Sequence, residues 1–489
     1  MKKKKNSREL DEAEASVRKR KKRRNRETML ITYFFVFLML AMMGNLAYFV
    51  VAESETVINN SYNTRQELLA SKNVRGKILA KDGQVLAQTL VDSSGQETRD
   101  YPYGDLFAHI VGYSTKGKTG VEALGNIHLL TSNAFIGERI KNEIGSEKNY
   151  GDTVVTTLDV ELQQTAYNAL GIYSGAIVVS EPSTGKILAM VSKPDFDPNQ
   201  IVSLWDELIS DDDSSVLVNR ASQGLYPPGS TFKIITALEY YRQNQGNING
   251  YSYRCAGNFV YEGHRINCYH GSSHGNLDLQ KSFEKSCNSS FANIGISLDL
   301  DQMEKDLNQL LFNTALPTDI VSNKSSYVLT SSDDTYDVMQ TAIGQGKTQI
   351  TPLHLNMLTC AIANGGKLMR PYVIDRVENY NGSVMKQYSA TTEAAIMTAD
   401  EAQFLTGLMA GVVENGTASK LKGLSYTAAG KTGSAEFNGE KADSHAWFTG
   451  FAPVENPQIA VTIIMEGAGS GGDYAVPMAK RIFDEYFGK

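Results

Sequence analysis

Ser230 and Lys233 are the residues whose types and spacing first suggest chemistry. They open an apolar segment directly after Pro227, Pro228 and Gly229. Residues three apart lie on one face of a helix, so the lysine amine can reach the serine hydroxyl. A serine is a weak nucleophile until a base removes its proton, and burial lowers a lysine pKa enough for that task. Ser230 and Lys233 are therefore candidates for a nucleophile and its general base.

Two later strings complete a set of three motifs. Ser286-Cys-Asn288 is a Ser-x-Asn string, and Lys431-Thr-Gly433 is followed by Ser434 in a predicted strand. The motifs Ser-x-x-Lys, Ser-x-Asn and Lys-Thr-Gly, in this order, are the signature of penicillin-binding proteins and class A β-lactamases. Other copies of the second and third strings precede Ser230 and are predicted to be turns, at Ser61–Asn63, Ser71–Asn73 and Lys118–Gly120.

The chain from residue 53 onward resembles the class B, monofunctional penicillin-binding proteins. Arg75-Gly76 with Asp82-Gly83 is similar to the start of their pedestal module. Class A members carry a glycosyltransferase domain between anchor and transpeptidase, and the 98 residues from 53 to 150 are too few for one. Similarity to the transpeptidase domain covers Gly175–Asn199, Asn219–Leu238, Lys281–Gly295, Ile343–Gly366, Gly411–Leu421 and Ala428–Pro453.

The resemblance implies a role for each motif residue. Ser230 would be the acylated nucleophile, Lys233 its general base, and Ser286 a proton relay towards the leaving amine. The backbone N–H groups of Ser230 and Ser434 would form the oxyanion hole. The residues implied to bind the substrate, through its amide, its carboxylate and its backbone, are Asn288, Lys431, Thr432, Gly433 and Ser434.

The implied reaction is peptidoglycan cross-linking, for which no cofactor is needed. A stem peptide ending in D-Ala-D-Ala acylates Ser230 and loses D-Ala, and an amine of a neighbouring stem then takes the acyl group. β-Lactams mimic the first step and remain attached. A D,D-carboxypeptidase differs only in using water as the acceptor. The alternative from another class of protein is a non-catalytic scaffold that binds β-lactams and regulates a membrane-embedded glycosyltransferase. The resemblance implies the same kind of glycosyltransferase as the partner of a catalytic protein.

Three of the four cysteines lie close together in the sequence, with a histidine among them. One interpretation is a tetrahedral structural zinc site built from Cys255, Cys268, His274 and Cys287. Some elongation-type class B proteins resemble this pattern. The alternative is a disulfide between Cys255 and Cys268, formed in an oxidising compartment. If Ser286 and Asn288 face the cleft, Cys287 points behind it, where a metal could hold this loop.

Residues 29–52 form an apolar segment without Asp, Glu, Lys or Arg. At about 1.5 Å per residue a helix of this length measures roughly 36 Å, enough to cross a bilayer. Residues 1–28 carry 13 Lys or Arg against 5 Asp or Glu, and Glu53 and Glu55 follow the segment. The positive-inside rule therefore predicts a single-pass protein of a bacterial cell membrane, with a cytoplasmic N-terminus and residues 53–489 outside. A cleaved signal peptide would be shorter and would end in a cleavage site.

The net charge and the order of the predicted elements limit the possible partners and folds of the rest of the chain. The net charge is −7 over 489 residues although the N-terminal tail is basic, so the acidic body argues against a nucleic-acid partner. Strand patterns come first and return at the end, so both ends are expected to build one antiparallel sheet. Helices dominate the middle and are predicted over residues 231–242, 278–298 and 351–363. We therefore expect an α+β fold, in which an antiparallel sheet flanked by helices, plus an all-helical subregion, stands on a small mixed pedestal. The predicted parts are a cytoplasmic tail, a transmembrane helix, a pedestal or dimerisation-like module and a transpeptidase domain, at residues 1–28, 29–52, 53–150 and 151–489.

Overall fold

The computed structural model describes residues 2–50, 65–145, 147–210, 215–436 and 444–488. The chain divides into two compact units, Met1–Thr64 and Arg65–Lys489. In the first unit, helix α1 runs from Lys2 to Tyr48, and within the described ranges it alone is long and apolar enough to cross a membrane. This agrees with the predicted single-pass anchor. The end of the predicted segment and its acidic flank, residues 51–55, lie outside the described ranges.

The second unit mixes helices and strands in the predicted order. Its helices are α2 (Arg65–Lys72), α3 (Ala108–Val111), α4 (Gly120–Leu124), α5 (Asn126–Leu130), α6 (Ile136–Ile144), α7 (Val160–Leu170), α8 (Ile201–Ser210), α9 (Lys233–Gln243), α10 (Leu279–Glu284), α11 (Asn288–Gly295), α12 (Leu300–Gln309), α13 (Thr335–Ala342), α14 (Pro352–Ala363), α15 (Ala399–Asn415) and α16 (Ala475–Tyr486). Its strands are β1 (Asn73–Val74), β2 (Ile78–Leu79), β3 (Val85–Val91), β4 (Glu97–Asp100), β5 (Asn149–Tyr150), β6 (Thr153–Thr156), β7 (Gly175–Ser180), β8 (Ile187–Lys193), β9 (Tyr253–Cys255), β10 (Asn258–Tyr261), β11 (His264–Asn267), β12 (Gly275–Leu277), β13 (Lys367–Met369), β14 (Ile374–Glu378), β15 (Val384–Gln387), β16 (Thr392–Ala395), β17 (Ala429–Glu436), β18 (Ser444–Ala452) and β19 (Ile459–Met465).

The central sheet has five antiparallel strands in the order β17-β18-β19-β7-β8. It joins β7 and β8, which precede the helical middle, with β17, β18 and β19 at the end of the chain, as the sequence predicts. Every residue of β18 and β19 is buried, so both faces of these strands are covered. Helix α14 packs against β7, β18 and β19, and α7 and α16 pack against each other and against the sheet. Strand β17 lies at the edge, which leaves one side of its backbone without a neighbouring strand.

A second sheet links the pedestal to the body. Its strand order is β15-β14-β6-β2-β3-β4, so strands from both sides of residue 150 share it. Strand β6 pairs in parallel with β2 and antiparallel with β14. Val154 on β6 is fully buried, because α5 and the adjoining Gly125 pack over this strand. The division of the outer chain at residue 150 stays a prediction, and the core is continuous across it.

Buried charges organise the pedestal. Glu122 is fully buried, and its carboxylate accepts hydrogen bonds from Arg75 Nε at 2.7 Å and Arg99 Nε at 2.7 Å. Arg75 also donates to Asn126 Oδ1 at 2.6 Å. A buried carboxylate needs such partners, since its desolvation costs several kcal/mol. The guanidinium groups hold the pKa of Glu122 below its ordinary value against the opposing effect of burial.

Candidate active site

Ser230 lies in a short 3₁₀ turn, Gly229–Phe232, which continues directly into α9. Gly229 has φ of +54°, and a Cβ on it would lie 2.9 Å from the carbonyl oxygen of Ser434. Glycine is therefore required for the turn to approach β17. The Gly229 N–H donates to Gly344 O at 2.8 Å, which fixes the turn from its other side. Ser230 consequently lines a cleft of about 590 Å³ beside the edge strand.

Ser286 interrupts what the sequence predicts as one helix. Helix α10 ends at Glu284, Ser286 adopts φ of +51°, and α11 begins at Asn288. A non-glycine residue in this left-handed region costs on the order of 1–3 kcal/mol, and such residues cluster at functional sites. The break allows both Ser286 and Asn288 to line the cleft. Cys287 caps α11, where its Sγ accepts from the Ser290 N–H at 3.4 Å.

The amine of Lys233 is fully buried beneath the cleft. It donates to Ser286 O at 2.7 Å, to Asn288 Oδ1 at 2.6 Å and to Ser286 Oγ at 3.3 Å. Burial lowers the pKa of Lys233 to about 8, so a useful fraction of the amine is neutral near pH 8. These bonds do not include one to Ser230 Oγ, and hydrogen bonds in substrate-free sites often tighten only in the complex.

Lys431 approaches the same hydroxyl from the strand side. Its amine donates to Ser286 Oγ at 2.8 Å and to Thr432 O at 3.0 Å, and its side chain is fully buried. Burial, and after it the charge of Lys233, lowers the pKa of Lys431 well below the ordinary value. The Ser286 hydroxyl is therefore held between two lysine amines. This arrangement can pass a proton between them.

The other residues of the third motif contact different partners. Thr432, Gly433 and Ser434 all line the cleft. A Cβ on Gly433 would lie 3.0 Å from Trp447 Cβ and 3.1 Å from Thr231 Cγ2. Glycine at 433 thus permits close packing of the serine-bearing turn against β17. The predicted role of Gly433 in the approach of the substrate stays a prediction.

The three cysteines and the histidine of the predicted metal site form one cluster. The distance between Cys255 Sγ and Cys268 Sγ is 3.6 Å, and that between Cys268 Sγ and Cys287 Sγ is 3.7 Å. His274 Nδ1 lies 3.4 Å from Cys255 Sγ. All three cysteines are buried free thiols, so the alternative disulfide is not formed in this structure.

The cluster lies at the wall of the cleft, which Cys268 and His274 line, and it closes the base of a hairpin. Cys255 ends β9 and Cys268 directly follows β11, so the two cysteines flank the hairpin of β10 and β11. Asn267, on the cleft side of this hairpin, accepts a hydrogen bond from Asn288 Nδ2 at 3.1 Å. The cluster thereby connects the hairpin to the Ser-x-Asn loop through Cys287.

The structure adds residues that the motifs do not reveal. Thr417 Oγ1 lies 2.5 Å from Thr432 Oγ1 in the cleft, and the Trp447 indole N–H donates to Pro227 O at 3.1 Å. Thr417 belongs to a stretch in which the sequence showed similarity, but no spacing relates it to Thr432. Every predicted cleft residue lies at or directly beneath this one site. Of the four predicted metal ligands, Cys268 and His274 also line the cleft, and Cys255 and Cys287 lie next to them.

Comparisons with known proteins identify the family. Residues 175–484 match the family model of the penicillin binding protein transpeptidase domain, and residues 75–154 match that of the penicillin binding protein A dimerisation domain. The peptidoglycan D,D-transpeptidase PbpA of Mycolicibacterium smegmatis is 30% identical over 443 residues, which cover 83% of this chain and 87% of that protein. The peptidoglycan D,D-transpeptidase MrdA of Acinetobacter baumannii is 28% identical over 450 residues, which cover 80% of this chain and 66% of that protein.

Solved structures agree with this result. The imipenem acyl-enzyme complex of penicillin-binding protein A from M. tuberculosis has a TM-score of 0.76 and 28% identity, and the match covers 85% of this chain and 99% of that one. The D,D-transpeptidase domain of a peptidoglycan glycosyltransferase from Eggerthella lenta has a TM-score of 0.76 and 29% identity, with the same coverage. The chain described here belongs to the penicillin-binding protein transpeptidase family, in its class B group.

Proposed function

We propose that this chain is a membrane-anchored D,D-transpeptidase that cross-links peptidoglycan stem peptides through an ester on Ser230. The observation that carries the proposal is the Ser286 hydroxyl, held at 3.3 Å from the amine of Lys233 and 2.8 Å from that of Lys431, in the cleft that Ser230 lines. The names of the relatives support it, since PbpA and MrdA are peptidoglycan D,D-transpeptidases. The acyl-enzyme complexes of penicillin-binding protein A from M. tuberculosis with imipenem and with penicillin G also support it.

In the first half-reaction, Ser230 Oγ attacks the carbonyl carbon between the two terminal D-Ala residues. Lys233 takes the hydroxyl proton, and the Ser286 hydroxyl passes a proton to the nitrogen of the leaving D-Ala. The C–N bond breaks and an ester to Ser230 remains. In the second half-reaction, an amine of a neighbouring stem attacks this ester, an amide forms, and the Ser230 hydroxyl is restored. A β-lactam also acylates Ser230, but the nitrogen released when its ring C–N bond breaks stays tethered to the acyl group, so no leaving group departs.

Substrate binding follows from the edge position of β17. An unpaired strand edge presents backbone N–H and C=O groups to an extended peptide, which can add to the sheet as another strand. Asn288 would hold the amide of the stem peptide. The hydroxyls of Thr432 and Ser434 would bind the terminal carboxylate, and the buried Lys431 would support the proton relay and the positive field of the site. The N–H groups of Ser230 and Ser434 would stabilise the oxyanion, because they are fixed before the reaction begins.

A product assay tests this function against the carboxypeptidase alternative. Purified full-length chain is incubated with a stem pentapeptide ending in D-Ala-D-Ala, with and without a second stem that offers a free amine. We expect a cross-linked product, together with released D-Ala, only when the amine is present. Release of D-Ala at an unchanged rate without any cross-linked product would instead identify water as the acceptor.

The pH dependence of acylation should report the base. Only the neutral amine of Lys233 can accept a proton, and its pKa is about 8. The rate of acylation by penicillin should therefore rise from pH 6.5 through pH 8 and level off above pH 9. Stopped-time labelling across this range measures it, with Lys233→Arg as the variant that removes the rise. A rate that falls with rising pH would contradict the assignment of Lys233 as base.

The membrane topology and the polymerase partner belong to the same proposal. The basic residues before the apolar part of α1 favour a cytoplasmic N-terminus and a catalytic body outside. This puts the body on the side where peptidoglycan is assembled. We infer that a membrane-embedded glycosyltransferase supplies the glycan strands whose stems are cross-linked.

The cysteine cluster suits a structural zinc ion. The four candidate ligand atoms lie within 4.8 Å of one another. A tetrahedral zinc with Zn–S bonds of about 2.3 Å holds its sulfur ligands roughly 3.8 Å apart, and the observed sulfur distances are 3.6 and 3.7 Å. The ligands would be Cys255, Cys268, His274 and Cys287. Zinc would supply no chemistry and would hold the Ser-x-Asn loop to the hairpin.

Metal analysis tests the cluster. Purified chain should contain about one zinc per molecule, and Cys255→Ser should lose it and lower the melting temperature, because a closed structural site contributes folding energy. Cys360→Ser is the matched control, since Cys360 is a buried thiol in α14 outside the cluster. Absence of metal from wild-type chain, with all four thiols reactive, would contradict the zinc assignment.

A further inference from the structure

Helix α6 carries an apolar stripe that the described protein leaves uncovered. Ile136, Ile140 and Ile144 recur every four residues and so share one face. They are 68%, 52% and 81% exposed, and Phe135 just before the helix is 72% exposed. None of the residues of this helix is buried. Monomeric soluble proteins rarely expose such a contiguous patch unless it meets a partner or a membrane.

The stripe lies near the first elements of the second unit, which starts at Arg65. Asn142 Nδ2 on α6 donates to Asn149 Oδ1 at 3.1 Å, and Asn149 belongs to β5. Strand β5 pairs in parallel with β1, and Lys148 Nζ donates to the Ala70 carbonyl of α2 at 2.9 Å. Helix α6 is thus joined through two short strands to α2, the first described element after α1.

The number of residues between the apolar helix α1 and α2 limits how far apart these two helices can be. Residues 51–64 separate Val50 from Arg65, and a segment of this length spans at most about 50 Å when fully extended. More exposed apolar side chains, Leu68 on α2 and Tyr150 on β5, lie on the elements that join α6 to the start of the second unit. These exposed apolar side chains therefore lie on elements near the start of the second unit, which follows the apolar helix in the chain.

We propose that α6 lies in the interface of the phospholipid bilayer, with Phe135, Ile136, Ile140 and Ile144 at the boundary between headgroups and acyl chains. A helix with one apolar face and charges such as Glu138 and Lys141 elsewhere on its surface suits this position. The four apolar side chains offer on the order of 500 Å², less than the roughly 800 Å² per partner of a stable protein interface. Lipid is thus favoured over a second copy. The inference rests on the anchoring part of the proposed function, not on the chemistry at Ser230.

Photo-crosslinking in proteoliposomes tests the inference. Full-length chain carrying Ile140→p-benzoylphenylalanine is reconstituted in phosphatidylethanolamine and phosphatidylglycerol, irradiated, and analysed by mass spectrometry for lipid adducts. Ile172→p-benzoylphenylalanine is the matched control, because Ile172 is an isoleucine 97% exposed after α7. Phe37→p-benzoylphenylalanine, in the apolar part of α1, tests the anchor separately. Penicillin labelling of each variant checks that it is folded.

The expected result is a lipid adduct at position 140 several-fold more abundant than at position 172. Adding Ile136→Asp and Ile144→Asp should reduce the adduct at 140 to the level of the control. Two results would overturn the inference and leave the anchor intact. One is a lipid adduct at position 37 without one at position 140, and the other is a cross-linked dimer at position 140 in place of a lipid adduct. Absence of an adduct at 37 would instead refute the anchor on which the inference depends.

Discussion

Replacing Ser230 by alanine should abolish labelling by a fluorescent penicillin, with the acylation rate falling by about three orders of magnitude or more. The Ser230 hydroxyl is the group proposed to become acylated. Neither of its neighbours in the turn, Gly229 or Thr231, can place a hydroxyl at the same point. Gel fluorescence of purified full-length chain, wild type beside variant, measures the effect.

Ser419→Ala is the matched control for this experiment. Ser419 lines the same cleft but makes no hydrogen bond to either lysine amine in the described ranges. Its labelling should therefore equal that of wild type. A band that persists in Ser230→Ala would mean that another nucleophile is acylated. Folded wild type that takes no label would favour the non-catalytic scaffold over the enzyme.

Replacing Lys431 by alanine should lower the acylation rate by about 100-fold or more. The change removes the amine that donates to Ser286 Oγ at 2.8 Å and that would support the proton relay. The Ser286 hydroxyl then keeps only its 3.3 Å hydrogen bond from the Lys233 amine, of the two that it accepts from lysines. Time courses of penicillin labelling at several drug concentrations give the second-order rate constant that reports the loss.

The chain offers a control of identical local sequence for Lys431. Lys118 opens a second Lys-Thr-Gly string in the pedestal, in the segment before α4. Lys118→Ala should leave the acylation rate within about twofold of wild type, because Lys118 lies in the pedestal and does not line the cleft. Equal losses in both variants would show that the effect of Lys431 is not specific to the cleft. Circular dichroism melting curves exclude unfolding as the cause in Lys431→Ala.

Some of the site was predictable because the relevant physics is local. Ser230 and Lys233 are one helical turn apart, and Pro227, Pro228 and Gly229 mark where the preceding segment must stop. Cys287 lies between two residues that face the cleft, so its direction away from the cleft followed from its position in the string. The antiparallel sheet built from distant parts of the chain was predictable from the order of strand and helix patterns.

Other features depend on contacts that sequence spacing does not encode. The prediction of one helix across residues 278–298 was wrong at Ser286, because the left-handed turn there is stabilised by Lys233 and Lys431 from distant elements. Thr417 reaches Thr432 only because α15 packs against β17. Likewise, Trp447 reaches Pro227 only because β18 lies beside β17 and the serine-bearing turn.

The sequence by itself therefore predicted a nucleophile and its base, and it determined the motif order and the apolar N-terminal segment, since each depends on residue type and on neighbours within a few positions. The tertiary structure alone decided that two buried lysines share one serine hydroxyl, that the four metal-ligand candidates converge behind it, and that strands from both sides of residue 150 form one sheet. These features depend on close packing between segments far apart in the chain. Such packing shifts lysine pKa values through burial, which no residue spacing can convey.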